Sequence, residues 1–185
     1  MSRIEILELS EILYTVISEH EEQKILSEIA QGHSAGIIKS IFEQCISIIK
    51  SKHEIKQDTL VTVAEGLLHY LLTVTMIPSK RKTTFQGIDI DVAVPDTITL
   101  GTSPQEVVII SFPKTNDMRE INMQIDNIKK IQPNQDNIWF VLEKDMNLGI
   151  KTYTVQDSMT FTNIIDDLKS FTSNKKQSKL KIFKI

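Results

Sequence analysis

The residues able to do chemistry in this chain are few, and the sharpest grouping is a pair of acids on a strand. Asp89 and Asp91 alternate with Ile88, Ile90, Val92 and Val94 inside the stretch Thr84 to Lys114. A period of two puts the isoleucines and valines on one face and the aspartates on the other. The pair reads either as a functional site or as solvent-facing residues of an exposed hairpin. The other candidates carry less. The four histidines, His20, His33, His53 and His69, all precede residue 79, and none pairs with another histidine or with Cys45 at zinc spacing. No G-x-x-x-x-G-K phosphate loop is present, the six glycines are too scattered for a dinucleotide fingerprint, and no G-x-S-x-G elbow exists. Cys45 sits among Ile41, Ile46, Ile48 and Ile49 and reads as a core thiol. A lone cysteine excludes an internal disulfide and points to a reducing, cytoplasmic compartment.

The elements that must position these residues are legible from periodicity. After the acid strand, Pro95, Asp96, Gly101 and Pro104 predict a turning connection. Val107 to Phe112 is an almost unbroken β-branched run, suited to a central strand covered on both faces. Upstream, apolar residues at helical spacing predict helices over 3–18, 21–30, from Ser34 to about Lys52, and from Asp58 or Thr59 to about Met76. Ser34 is the expected cap of the third helix. Downstream, Ile121, Ile125, Ile128 and Ile131 predict a helix over 117–131, and Ile138 to Leu142 a short buried strand. Lys151 to Val155 follows as a further strand. A last helix, capped by Asp157 or Ser158, carries Phe161, Ile164, Ile165, Leu168 and Phe171. Leu180, Ile182, Phe183 and Ile185 would add a final edge strand or dock elsewhere.

The division expected is a helical region over 1–78, its last helix belonging to the core, an α/β core over 79–173, and a lysine-rich tail over 174–185. Residues 1–78 carry 6 Lys/Arg against 11 Asp/Glu, whereas 174–185 carry five lysines and no acid. The tail reads as a solvated, mobile end. The net charge of -3 selects neither nucleic acid nor membrane. No charged-then-apolar leader opens the chain, and the longest apolar run, Leu67 to Ile77, is too short to span a bilayer, so neither secretion nor a membrane role is expected.

The order helix, three strands, helix, strand, with I-D-V-A-V-P-D on the second strand and V-I-I-S-F-P-K on the next, resembles the PD-(D/E)XK superfamily, the restriction-endonuclease-like fold. The resemblance covers about half the chain. It implies an α/β (α+β) architecture, an αβββαβ core with a mixed sheet covered by helices. It further implies that a second-strand aspartate and a third-strand acid bind Mg²⁺ or Mn²⁺, with a lysine two residues on to orient the attacking water. Asp91 matches the first position, with Asp89 one strand step away. The second position is not matched: if Lys114 is the lysine, Phe112 stands at the acid's place, and if Ser111 is that place, Pro113 replaces the lysine. Glu106 is the remaining acid, several residues early. The resemblance therefore implies a nuclease-like domain that has lost catalysis and serves as a scaffold or interaction module. The alternative is a metal-dependent nuclease on DNA or RNA, with Asp91 and Lys114 catalytic and Asp91, Asp89 and Glu106 as metal ligands. Nucleic acid would then approach Lys80, Arg81 and Lys82 or the C-terminal lysines. A homodimer is a further expectation from the resemblance. A third reading keeps only a helical bundle fused to an unrelated small α+β domain.

Overall fold

The apolar stripes and β-branched runs assemble around one sheet. The structure is a computed structural model and describes residues 3–52, 55, 56, 58–156 and 158–181. Four helices come first: α1 (Arg3–Glu19), α2 (Glu22–Ala30), α3 (Ser34–Lys52) and α4 (Thr59–Val74). Then come strands β1 (Lys80–Phe85) and β2 (Ile88–Val94), a short helix α5 (Thr97–Thr102), and β3 (Val108–Ser111). Helix α6 (Met118–Ile131), strands β4 (Ile138–Leu142) and β5 (Lys151–Thr154), and helix α7 (Ile164–Lys181) complete the chain. The five strands lie in sequence order, with β1, β2 and β3 antiparallel and β3, β4 and β5 parallel.

The expected central strand is β3: it is third of five, and Val108 to Ser111 are all buried. Its alternation feeds two cores. Val108 and Ile110, with Val92, Val94, Trp139 and Val141, pack against α1 to α4 and α7. Ile109, Ile138, Phe140 and Leu142 pack against Ile121, Ile125, Ile128 and Ile131 of α6. Helices therefore cover both faces, the condition under which strands lose their polar alternation. The turn between β1 and β2 is two residues, Gln86 and Gly87, both left-handed at φ 49° and 77°. That is the twist a tight hairpin requires, and it is why a glycine stands there.

Several expectations change. Ile88, Ile90, Val92 and Val94 do not share a face: Ile90 packs on the α6 side and Val92 and Val94 on the other. The alternation slips at Asp91, where the β1–β2 pairing skips the step between Arg81↔Val92 and Thr83↔Ile90. The connection after β2 is a helix as well as a turn, because Asp96 accepts the Thr99 N–H at 2.7 Å and caps α5. Ser34 is no cap; it lies inside α3, fully buried, and its hydroxyl donates to Asp166 of α7. A 3₁₀ turn, Thr160–Asn163, precedes α7, and Ser158 bonds Thr154 instead of capping that helix. Leu180 lies in α7, which continues to Lys181, so residues 174–181 are helical where a mobile tail was expected. His53, Asp157, Ile182, Phe183 and Ile185 lie outside the described residues. Cys45 is a core thiol as expected, fully buried, with burial pushing it up to about 12.

The two-sided core makes a simple prediction. Phe140, with no exposed surface, fills the α6-side core, whereas Met123 on α6 is 66% exposed. Phe140→Ala should cost about 3–5 kcal/mol in urea denaturation, and Met123→Ala within roughly 0.5 kcal/mol of nothing.

Candidate functional site

Four charged side chains from four segments meet at the end of β3. Glu65, from α4, is 7% exposed. Lys114, just past β3, donates to Glu65 Oε2 at 2.6 Å. Lys82, from β1, donates to Asp91 Oδ1 of β2 at 2.8 Å and ion-pairs with Glu65 Oε1. Asp91 Oδ2 accepts the Phe112 N–H at 2.8 Å and the Ser111 hydroxyl at 3.3 Å. Two carboxylates are thus matched by two ammonium groups, with Lys82 bridging the acids.

Local structure explains the meeting. The pleat of β2 turns at Asp91, which frees its carboxylate to reach the backbone amide of Phe112, just past the end of β3. Lys82 lies opposite Asp91 and has φ 44°, a left-handed backbone that a lysine in a strand rarely adopts. Glu65 is carried on the inner face of α4, flanked by buried Ala64 and Leu67. Gly66 beside it gives α1 room, since a Cβ there would stand 2.9 Å from Leu13 Cδ2.

The electrostatics follow from this packing. Burial alone would raise the Glu65 carboxyl, but Lys114 and Lys82 outweigh it and hold the group below its usual range. Burial likewise works against the charged form of Lys82, and Asp91 and Glu65 reverse that effect and raise it. His69 follows Glu65 by one helical turn. Burial lowers it to about 4, against the attraction of Glu65, and its Nε2 is buried without a hydrogen-bond partner.

Asp91 and Lys114 line the same cleft and are linked through Lys82 and Glu65, not side by side. Asp89 lines the same open cleft of about 810 Å³, exposed and bonded to Thr84 Oγ1 at 2.8 Å. Glu106 stands in a 3₁₀ turn before β3, at the strand's opposite end, and is not among the residues lining the cleft. Neither Glu106 nor Lys114 lies within β3 itself. Lys80, Arg81 and Lys82 are all exposed on β1, and Lys82 also reaches the corner through Asp91 and Glu65. Glu65 was not foreseen. Its signal was present: it is the one formally charged residue between Asp58 and Lys80, set inside an apolar helix.

No protein-family model matches the chain, and no curated protein matches it. A solved structure, that of the restriction endonuclease PspGI in complex with substrate DNA, is similar over 90% of this chain and 93% of that one, at TM-score 0.62 and 14% identity. The fold is restriction-endonuclease-like. At that identity the likeness speaks for the fold alone.

In a restriction-endonuclease-like corner a divalent ion would rest on Asp91 and a second acid. The third strand offers Ser111 and Phe112 where that acid would stand, and α4 offers Glu65 instead. The oxygens of both carboxylates are already engaged, by Lys82, Lys114, Ser111 and Phe112. As arranged, the residues do not fit a divalent ion, and among the described residues no group of three His, Cys, Asp or Glu is placed to hold one. No described helix is long and apolar enough to cross a membrane.

The depressed His69 gives a pH signature. Below pH 6.5 the unfolded chain takes up a proton that the folded chain refuses until about pH 4. Stability should therefore fall as pH drops through that window. Glu65 adds its own loss only below the ordinary glutamate value, 4.5, because its folded carboxyl lies lower still. Thermal melts of wild type and His69→Gln from pH 7 to 4.5 should show a flatter acid limb in the variant. Equal slopes would mean that His69 takes up its proton normally in the folded chain.

Proposed function

We propose that this chain is a nuclease-like interaction module that engages nucleic acid without metal-dependent hydrolysis of it. The observation that carries the reading is the charge-balanced corner: the acids that hydrolysis would need for a metal are held by lysine ammonium groups, and the third strand has no acid of its own. The PspGI neighbour is a DNA complex, which supports nucleic acid as the partner class. The cleft beside the corner adds Lys130, Gln86, Gln124 and Asn127, donors of the kind that phosphate and sugar oxygens take. Exposed Lys80 and Arg81 extend that surface along the open edge of β1. Asp89 and Glu120 also line the cleft, so affinity is modest and depends on salt.

A second reading is a metal-dependent nuclease. One observation favours it: α4 delivers a buried carboxylate, Glu65, to a point where one ammonium touches both it and Asp91. In that reading Asp91 and Glu65 hold the ion, which supplies a Lewis acid, and Lys114 stabilises developing charge. Lys82 would have to leave, and its side chain is 59% exposed.

Gel-shift and cleavage assays on duplex and single-stranded DNA and RNA, with Mg²⁺ or Mn²⁺, separate the two. The module reading expects binding at low salt that weakens as salt rises, and no cleavage. Lys80→Ala with Arg81→Ala should weaken binding severalfold, since each phosphate contact contributes about 0.9 to the salt slope. Metal-dependent cleavage lost in Asp91→Ala would establish the nuclease instead. Absence of any shift at low salt would remove nucleic acid as partner.

A further inference from the structure

The corner described above is closed by Lys82, and the way it is closed points to what it displaces. We propose that Lys82 is a tethered cation standing in for a divalent ion, and that removing its ammonium opens a divalent-cation site on Glu65 and Asp91. This rests on the non-hydrolytic reading and deepens it, because it names the group responsible.

Three observations carry the inference. The first is position. One ammonium group contacts Asp91 Oδ1 on β2 and Glu65 Oε1 on α4, so these two oxygens lie within two contact lengths of each other. An ion that accepts carboxylate oxygens at roughly 2.0–2.6 Å would occupy the same gap. The second is the burial of Glu65. Its Oε1 lies out of water, and the positive charge in contact with it is the Lys82 ammonium. A divalent ion in the same gap would answer the same demand for positive charge. The third is the backbone. Lys82 stands at φ 44° in an edge strand whose neighbours on both sides pair regularly with β2. A lysine that only covered a solvated edge would have no cause to leave the extended region. Lys114 provides the contrast: it bonds a single carboxylate, Glu65, from a segment outside the strands.

Charge explains why the ammonium and the ion exclude one another. Glu65, Asp91, Lys82 and Lys114 sum to zero, so an arriving divalent ion would meet no net attraction and one like charge at contact. Removing the ammonium leaves a net negative pocket of two carboxylates, with Asp91 still oriented by the Phe112 N–H. Mn²⁺ and Ca²⁺ should enter more readily than Mg²⁺, because the gap set by an ammonium is wider than Mg²⁺ coordination favours.

The test uses the full chain and Mn²⁺ alone, with Ca²⁺ as a second probe. Calorimetry and the Mn²⁺ paramagnetic-resonance signal are recorded for wild type, Lys82→Met and Lys82→Gln, and for Lys80→Met as a control on the same strand. Circular dichroism and thermal melts establish that each variant is folded, and the glutamine variant covers the case where methionine is not tolerated. Lys82→Met or Lys82→Gln should bind Mn²⁺ about tenfold or more tightly than wild type, as expected from removing one like charge beside the ion. Lys80→Met should gain nothing, and Glu65→Gln added to Lys82→Met should abolish the gain. Wild type binding Mn²⁺ as tightly as the variants would overturn the inference. So would folded variants that bind no better than wild type, or a gain indifferent to Glu65→Gln. In those last two cases a wild type that does not cleave leaves the module reading standing, whereas cleavage by wild type would end that reading separately.

Discussion

Glu65 is the group on which the arrangement turns. A carboxylate 7% exposed on an otherwise apolar helix is costly to desolvate, and the cost is met only by opposite charge brought to it. Lys114 arrives from the end of the central strand and Lys82 from the edge strand. Neither lysine is deeply buried, since their side chains keep 37% and 59% exposure. The acid is therefore fixed by the core while its partners reach in from solvent. This asymmetry makes the Glu65 carboxylate the fixed part of the corner and the ammonium groups its solvent-side part.

The sheet provides the frame that brings these groups within reach. With β3 at its centre and helices on both faces, the inner strands β3 and β4 carry no polar row that could serve as a site. Around them, polar chemistry gathers at strand ends, on the edge strand and at the place where the pleat of β2 is interrupted. Asp91 is that place: Ile90 before it faces α6, and Val92 after it faces the helical layer. The side chain between them turns toward the end of β3 and finds the Phe112 amide. The same interruption leaves Lys82 unpaired in the ladder and free to turn inward. A regular hairpin would have sent the two side chains along the strand pair instead of into the corner.

Much of the layout was legible in the sequence because it rests on local periodicity. The isoleucines of α6 and the runs Val107 to Phe112 and Ile138 to Leu142 each had only one fitting partner, a sheet covered on both sides. What could not be read was set by contacts between distant segments. Ser34 has the residue type and place of a helix cap, yet its hydroxyl is taken by Asp166, 132 residues away. The face change at Asp91 is invisible in an alternating pattern, since the letters I-D-I-D-V-A-V suit an unbroken strand. Of the candidate residues, Asp91 and Lys114 were singled out through the order of elements. Glu65 was hidden because a single acid in a helix has many uses until the fold shows which face is buried. Lys82 was grouped with Lys80 and Arg81 as one basic stretch, although its ammonium, still partly in solvent, reaches Asp91 and Glu65.

A buried ion cluster is a weak stabiliser, often replaceable by apolar side chains at no loss, so stability alone does not account for its presence. What such a cluster fixes is geometry: it admits one arrangement of α4, β1, β2 and the end of β3, and penalises others by leaving a charge unmatched. His69, one turn below Glu65 with a buried and unpartnered nitrogen, sits in the same corner at further expense. A buried carboxylate and a buried, unpartnered imidazole nitrogen one turn apart on α4 are not what a helix selected only for packing would carry. The corner holds charge in a defined place, and in the module reading proposed above the cleft that opens beside it is where a charged partner would meet it.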